Sequence, residues 1–350
     1  MKILFTLLYA ILFCSAHGAS ALVVLQYHHV SEVTPKSTSI APALFQQHLD
    51  YLAEQDFAVL SLPEVLKMLH TEEALPDRAV LITFDDGYLS IYSEAWPRLK
   101  KLGWPFAVFV NSQPHDERQA SHMSWEQLRE LKASGATIVN HSRGHPYFLR
   151  LDLQAEHAYE QEIEYAQKRI EKEMGAAPKA FAYPYGEYDQ AMQNTLREHN
   201  YLAFGQHSGA VAEDVNRQLV PRFPFGGSYG DMDDFKQKVN SLAIKGVKTE
   251  SLSEKGERLI DPALPQEVLR PVWQVRLPET ARALVFNCFA SGQGAIPVEK
   301  TEDGFSTQAK KPLPQGRSRY NCTASNGEGR FYWLSELYIR RAEDGQWRHQ

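Results

Sequence analysis

Leu81-Ile82-Thr83-Phe84-Asp85-Asp86-Gly87-Tyr88 is the stretch from which the rest of the chain can be read. An apolar run from Ala79 to Phe84 ends abruptly in two adjacent carboxylates and a glycine. The run predicts a short buried strand. Asp-Asp-Gly predicts the turn at its C-terminal end, which is where α/β folds place their ligands. Successive residues of an extended chain point to opposite sides. Asp85 and Asp86 can therefore face one pocket only if the backbone bends, and Gly87 permits that bend. Taken alone the turn also reads as a solvated one, since Asp and Gly are common turn formers.

The same organisation recurs along the chain. Leu22 to Leu25 is an apolar strand leading into Gln26-Tyr27-His28-His29-Val30, and Ala136 to Val139 leads into Asn140-His141-Ser142-Arg143-Gly144-His145-Pro146. Ala180 to Ala182 leads into Tyr183-Pro184-Tyr185-Gly186, with further strands expected at 106–110, 202–204 and 219–223. Helices are expected between them. Pro42 can open one. Ser61-Leu62-Pro63-Glu64 and Ser124-Trp125-Glu126-Gln127 are capping-box signatures. Others read from Tyr92 to Leu102 and from Leu153 to Met174, while Asn111 to Met123 reads as a loop. Alternating strands and helices imply an α/β fold with a mainly parallel sheet, and chemistry at strand ends implies a β/α barrel.

The texture changes after residue 244. Residues 245–261 are polar and charged, which predicts a linker. From 262 to 350 apolar and polar residues alternate, as in Val272-Trp273-Gln274-Val275-Arg276-Leu277, with Gly and Pro between the runs. This predicts a small all-β domain. Residues 1–21 read as a signal peptide: Lys2, an apolar run to Cys14, then Ala19-Ser20-Ala21. The run is too short to span a bilayer. An exported protein, periplasmic or secreted, is expected, with a first domain over 22–244. In an oxidising compartment Cys288 and Cys322 are a plausible pair. The formal charge of −6 and the lack of a basic run argue against nucleic acid as a partner.

His141-x-x-x-His145 supplies two imidazoles. Two imidazoles and a carboxylate form a common set for a divalent metal; two histidines in a surface turn are the plain alternative. Strand-end Asp-Asp, His-x-x-x-His and Tyr-Pro-Tyr-Gly, in that order, are together specific. On them the sequence resembles the polysaccharide deacetylase family, the metal-dependent carbohydrate esterases of the NodB-homology type. Residues 83–87 match that family's first motif, 141–145 its second, and 181–186 its third in part. The resemblance implies a distorted (β/α) barrel followed here by the small β domain. It also implies hydrolysis of N-acetyl groups from N-acetylglucosamine units of a polysaccharide or oligosaccharide. Asp86, His141 and His145 would hold a divalent metal, Zn²⁺ or else Ni²⁺ or Co²⁺. Asp85 would be the general base, and the backbone N–H of Tyr185 would stabilise the oxyanion. The general acid motif stands first in this chain, as in the circularly permuted exported poly-N-acetylglucosamine deacetylases. That assigns the role to His28, with His29 as its rival.

The chain departs from the family at Ala182, where an arginine usually orients the base. Arg222, in Val220-Pro221-Arg222-Phe223-Pro224, is the expected substitute. The family's tryptophan motif is also missing. Gly205-Gln206-His207-Ser208-Gly209 stands in its place, with His207 either lining the cleft or in an ordinary loop. His48, His70, His115, His122, His157, His199 and His349 read as solvated, and Trp125 as core. Trp273 and Phe331-Tyr332-Trp333 read as core aromatics, with sugar stacking as the alternative. The rival functions are an O-deacetylase of the acetyl xylan esterase type and a non-catalytic carbohydrate-binding protein.

Overall fold

The apolar runs become the strands of one parallel sheet in the computed structural model, which describes residues 21–150 and 155–347. The signal-peptide reading of the N-terminus and the reading of His349 fall almost wholly outside those residues. The strands are β1 (Leu22–Tyr27), β2 (Ala58–Val59), β3 (Ala79–Asp85), β4 (Ala107–Val110), β5 (Thr137–Asn140), β6 (Ala180–Ala182), β7 (Leu202–Phe204) and β8 (Phe223–Pro224). Their order is β8-β1-β3-β4-β5-β6-β7, with β2 beside β3, and every pairing is parallel. The two ends of the sheet approach one another through Val220, which bridges Phe204, and through the Arg222 N–H, which donates to the His207 carbonyl. The result is a distorted (β/α) barrel. The strand expected over 219–223 is reduced to Phe223–Pro224. Pro221 and Pro224 bring no N–H to a ladder, so that segment pairs only intermittently.

Side-chain alternation sorts the strands into two cores. Val23, Leu25 and Tyr27 of β1 and Val80, Ile82 and Phe84 of β3 pack against helix residues such as Phe45, Leu49 and Leu128. Leu22, Val24, Ala79 and Leu81 join Phe109, Ala182 and Phe204 in a second cluster. Gln26, Thr83 and Asp85 share the parity of this second set, so they belong to its row. Both capping boxes form, at Ser61 with Glu64 and at Ser124 with Gln127. Gly103 ends its helix with φ of 67°, a left-handed conformation that favours glycine. The stretch read as a loop over 111–123 contains a short helix, Ser112–Asp116.

The C-terminal part consists of two antiparallel sheets. The strands are β9 (Lys248–Leu252), β10 (Arg258–Leu259), β11 (Val272–Arg276), β12 (Phe286–Ala290), β13 (Gly294–Ile296), β14 (Val298–Lys300), β15 (Gly304–Gln308), β16 (Gly316–Ser325) and β17 (Phe331–Arg340). Their orders are β10-β9-β11-β15-β14 and β13-β12-β16-β17. The stretch expected to be a linker, 245–261, thus supplies β9 and β10. Its polar residues face solvent from an outer part of the sheet, and the ladder to β11 needs only backbone groups. Cys288 and Cys322 lie opposite each other on β12 and β16 and form a disulfide. Trp273 is buried between the sheets. Trp333 instead packs edge-on against Phe223 of the barrel, with ring centroids 5.3 Å apart.

Two of the histidines read as solvated are buried, His48 at 0% and His115 at 1% exposure. His48 accepts from the Tyr27 hydroxyl at Nδ1 (2.9 Å) and donates from Nε2 to the Gly230 carbonyl (2.9 Å). It also stacks on Phe235 at 3.8 Å. It therefore ties β1 and the helix Pro42–Glu54 to the helix Met232–Val239, a contact with no local sequence signal. Burial lowers its pKa to about 4, against the opposing pulls of the Gly230 carbonyl and Asp231. The unfolded chain takes up this proton near 6.5 and the folded one only near 4. The contribution is thus complete above about pH 6.5 and is lost as pH falls towards 4, on the order of 3 kcal/mol. Denaturation midpoints should therefore drop between pH 7 and 4.5. His48→Gln, which keeps one donor and one acceptor, should show a shallower drop. An equally steep drop in the variant would remove this explanation.

Candidate functional site

Four strand ends of the barrel deliver the site. β3 ends in Asp85, wholly buried, and the chain then turns through Asp86 and Gly87, with φ of 68° and 72°. This bend separates the two carboxylates. At Gly87 a Cβ would also meet His115 at 2.7 Å, so space as well as conformation requires glycine. After β5, Ser142 and His145 also take positive φ. The loop is shaped by the Asn140 side chain accepting from the Ser142 N–H and by the Ser142 hydroxyl accepting from the His145 N–H. Tyr185, after β6, has φ of 59°. Non-glycine residues held in this region are strained, and such strain gathers at functional sites.

Asp86, His141 and His145 converge, with one ligand atom from each lying within 4.8 Å of the others. Both Nε2 atoms are 3.5 Å from the Asp86 Oδ1. His141 Nδ1 lies 2.7 Å from the Ala182 carbonyl oxygen and must donate to it, which leaves the lone pair on Nε2. That Nε2 is buried and has no hydrogen-bond partner. A lone pair is thus turned towards a carboxylate oxygen with no proton between them. A divalent cation resolves that arrangement, since atoms bound to one ion at about 2.0–2.2 Å lie about 3–3.5 Å apart. Burial lowers His141 to about 3 and His145 to about 4, so both imidazoles stay neutral, the state in which they can ligate. Burial raises Asp86 to about 6, and Asp85 beside it adds to the rise.

Asp85 has a different environment. Arg222 grips it with both terminal nitrogens, Nη1 to Oδ1 at 2.7 Å and Nη2 to Oδ2 at 2.8 Å. Gln26 donates to Oδ2 at 2.7 Å. Burial alone would raise this carboxyl. The Arg222 guanidinium outweighs it and holds the group well below the ordinary carboxylate range. Arg222 is itself fully buried, with Nε donating to the Gly205 carbonyl at 2.9 Å. His28 places its Nε2 4.0 Å from Asp85 Oδ2, with a side chain 19% exposed. His29 points elsewhere and stacks on Tyr88 at 3.6 Å.

Contacts of 4.0 Å or less thus link His28, Asp85, Asp86, His141, His145 and Arg222 around one barrel mouth, and the Tyr185 ring lies 4.5 Å from that of His145. Three contributors were not anticipated. Gln26 had a signal, as a polar residue inside a buried strand. Tyr88, whose hydroxyl acts on Asp86, and the Ala182 carbonyl had none.

Residues 72–204 match the model of the polysaccharide deacetylase family. Among relatives, it is 26% identical over 202 residues to the Bacillus subtilis (strain 168) protein YxkH, covering 57% of this chain and 70% of that one. It is 21% identical over 267 residues to the poly-beta-1,6-N-acetyl-D-glucosamine N-deacetylase of Escherichia coli (strain K12). That match covers 65% of this chain but only 39% of the longer relative. Among solved structures, IcaB from Ammonifex degensii superposes with a TM-score of 0.56 at 28% identity, covering 63% of this chain and 98% of that one.

The Arg222 grip is the contact most open to test. Arg222→Ala leaves Asp85 buried without its counter-charge, so its pKa should climb. Acetate release should fall by about a hundredfold or more, with the remaining activity confined to higher pH. Metal content per chain should be unchanged, and Arg222→Lys should recover a part. Full activity in a folded Arg222→Ala protein would remove Arg222 from this role.

Proposed function

We propose that the chain is a metal-dependent N-deacetylase acting on N-acetylglucosamine units of a polysaccharide. The reading rests above all on one observation: the buried, unpartnered His141 Nε2 facing Asp86, immediately beside the Arg222-held Asp85. In this reading Asp86, His141 and His145 hold the divalent cation. Bound there, it supplies Lewis acidity to the acetyl carbonyl and lowers the pKa of a water.

Asp85 accepts the proton of the attacking water. A carboxylate held so firmly as the anion is a weak base at rest, but the water's proton grows acidic as its oxygen bonds to carbon. Arg222 and Gln26 fix the direction in which Asp85 can accept. The backbone N–H of Tyr185 donates to the developing oxyanion. His28, open to solvent on one side and near Asp85 on the other, gives a proton to the departing nitrogen. The carbon–nitrogen bond then breaks to acetate and a free amine.

Export fits this reading. The Cys288–Cys322 disulfide suits an oxidising compartment, periplasmic or extracellular. No helix of the described residues is long and apolar enough to cross a membrane.

Acetate release from N-acetylglucosamine oligomers should disappear with a chelator and return with Zn²⁺, Co²⁺ or Ni²⁺. Asp86→Asn and His141→Gln should each lose both bound metal and acetate release. A metal-free variant that still released acetate would overturn the mechanism. Acetate released without any new free amine would instead point to an O-deacetylase.

A further inference from the structure

The sheet β13-β12-β16-β17 reaches the barrel mouth. Along β16, Tyr320 and Cys322 point into the core between the two C-terminal sheets. Arg317 and Arg319 have the opposite parity. They pair across the ladder with Ile339 and Leu337, which pack in a core shared with Phe181 and Tyr183 of the barrel. Arg317 is anchored there. It bonds Glu187 at 2.9 Å and lies 5.3 Å from the Tyr185 ring, whose edge meets His145 at 4.5 Å.

Arg319 is not anchored in this way. It makes no ion pair among the described residues, and its Nε is buried with no hydrogen-bond partner. Arg317, Tyr229 and Tyr188 act on it, and it acts in turn on His207, which also senses Arg222. The carboxyl nearest in the ladder, Glu336, also acts on Tyr188, but burial raises it to about 8 and it forms no ion pair with Arg319 among the described residues. His207 repeats the pattern, with a buried Nδ1 that has no partner. Both residues remain only half-buried, so the other nitrogens of each side chain are open to solvent. Tyr229, 60% exposed, stands at the rim. A recessed cation without an anion is costly, and here it lies beside the β7 loop that also receives Arg222.

We propose that Arg319 and His207 form a carboxylate subsite that takes an acidic sugar next to the N-acetylglucosamine undergoing deacetylation. The inference rests on the deacetylase reading above. An arginine fork matches a carboxylate with two parallel N–H bonds. Arg317 is already engaged by Glu187, so one cation is spare. That suits a single negative charge better than a phosphate monoester, which carries about −1.5 to −2. Tyr229 offers an aromatic face to a neighbouring pyranose. The C-terminal sheet, in this view, helps select the polymer.

The test compares neutral N-acetylglucosamine oligomers with oligomers in which alternate sugars carry a lactyl ether or are uronic acids. Acetate release is followed for the native protein, Arg319→Gln and Arg319→Lys, each checked by thermal melting. The native protein should favour an acidic series in kcat/KM. Arg319→Gln should lower that preference about tenfold or more, through KM, and Arg319→Lys should restore part of it. The lactyl and uronate series tell the two carboxylate sources apart. No native preference, or a preference unchanged in Arg319→Gln, overturns the proposal. If the native protein releases acetate from neither series, the deacetylase reading falls. Calorimetric binding of the acidic oligomers then decides the subsite: Arg319-dependent binding upholds it, and absent or Arg319-independent binding overturns it.

Discussion

A carboxylate with no exposed surface has to be neutralised or paired, and Asp85 is paired by Arg222. The interaction draws on three neighbouring parts of the barrel. Asp85 ends β3, Gln26 lies in β1 and Arg222 immediately precedes β8. The guanidinium thus joins early and late segments of the chain where β8 flanks β1, and its own Nε is fixed by Gly205 after β7. A buried ion pair adds little net stability, because desolvating both charges consumes most of the attraction. Losing one partner is far more damaging, on the order of 3–5 kcal/mol. Its value here is positional: with both carboxylate oxygens engaged, Asp85 has one orientation.

That orientation lets adjacent aspartates behave differently. Two carboxylates side by side repel, and the same burial acts on both. Arg222 takes Asp85 far into its ionised state against the pull of burial, while Asp86 is raised to about 6 and faces two neutral imidazoles. The left-handed turn at Asp86 and Gly87 makes the separation possible, because on a straight strand the two side chains would diverge. The same backbone device recurs at His145 and Tyr185. The site is built from strand ends whose last residues leave the extended conformation.

Much of this was legible in the sequence wherever the signal was local. Apolar runs ending in polar clusters marked the strand ends, and Ser-x-x-Glu and Ser-x-x-Gln marked helix starts. Arg222 was expected only through the family resemblance, because Ala182 stands where that family usually has an arginine. What escaped was long-range. His48 bonds Gly230 across 182 positions of sequence, and no periodicity reports such a contact. Residues 248–252 are polar because their outer side meets water, and polarity alone could not separate an edge-region strand from a linker. The His141 tautomer depends on a carbonyl at Ala182, and carbonyls have no sequence identity.

The two β sheets were expected to follow the barrel as a separate unit, and the contacts argue for a closer relation. Leu337 and Ile339 share a core with Phe181 and Tyr183. Arg330 bonds Asp77 with two nitrogens and the Asn240 carbonyl with a third. The Leu242 N–H donates to the Phe331 carbonyl. An independently mobile module would leave its apolar face exposed when it moved, whereas this face is occupied by barrel side chains. Arg317, bonded to Glu187 and lying over Tyr185, is held by the same packing. Fixing β17 against the barrel fixes β16 beside it through their ladder, and with β16 the two arginines at the mouth. The electrostatic character of the cleft therefore depends on the C-terminal sheet as well as on the barrel.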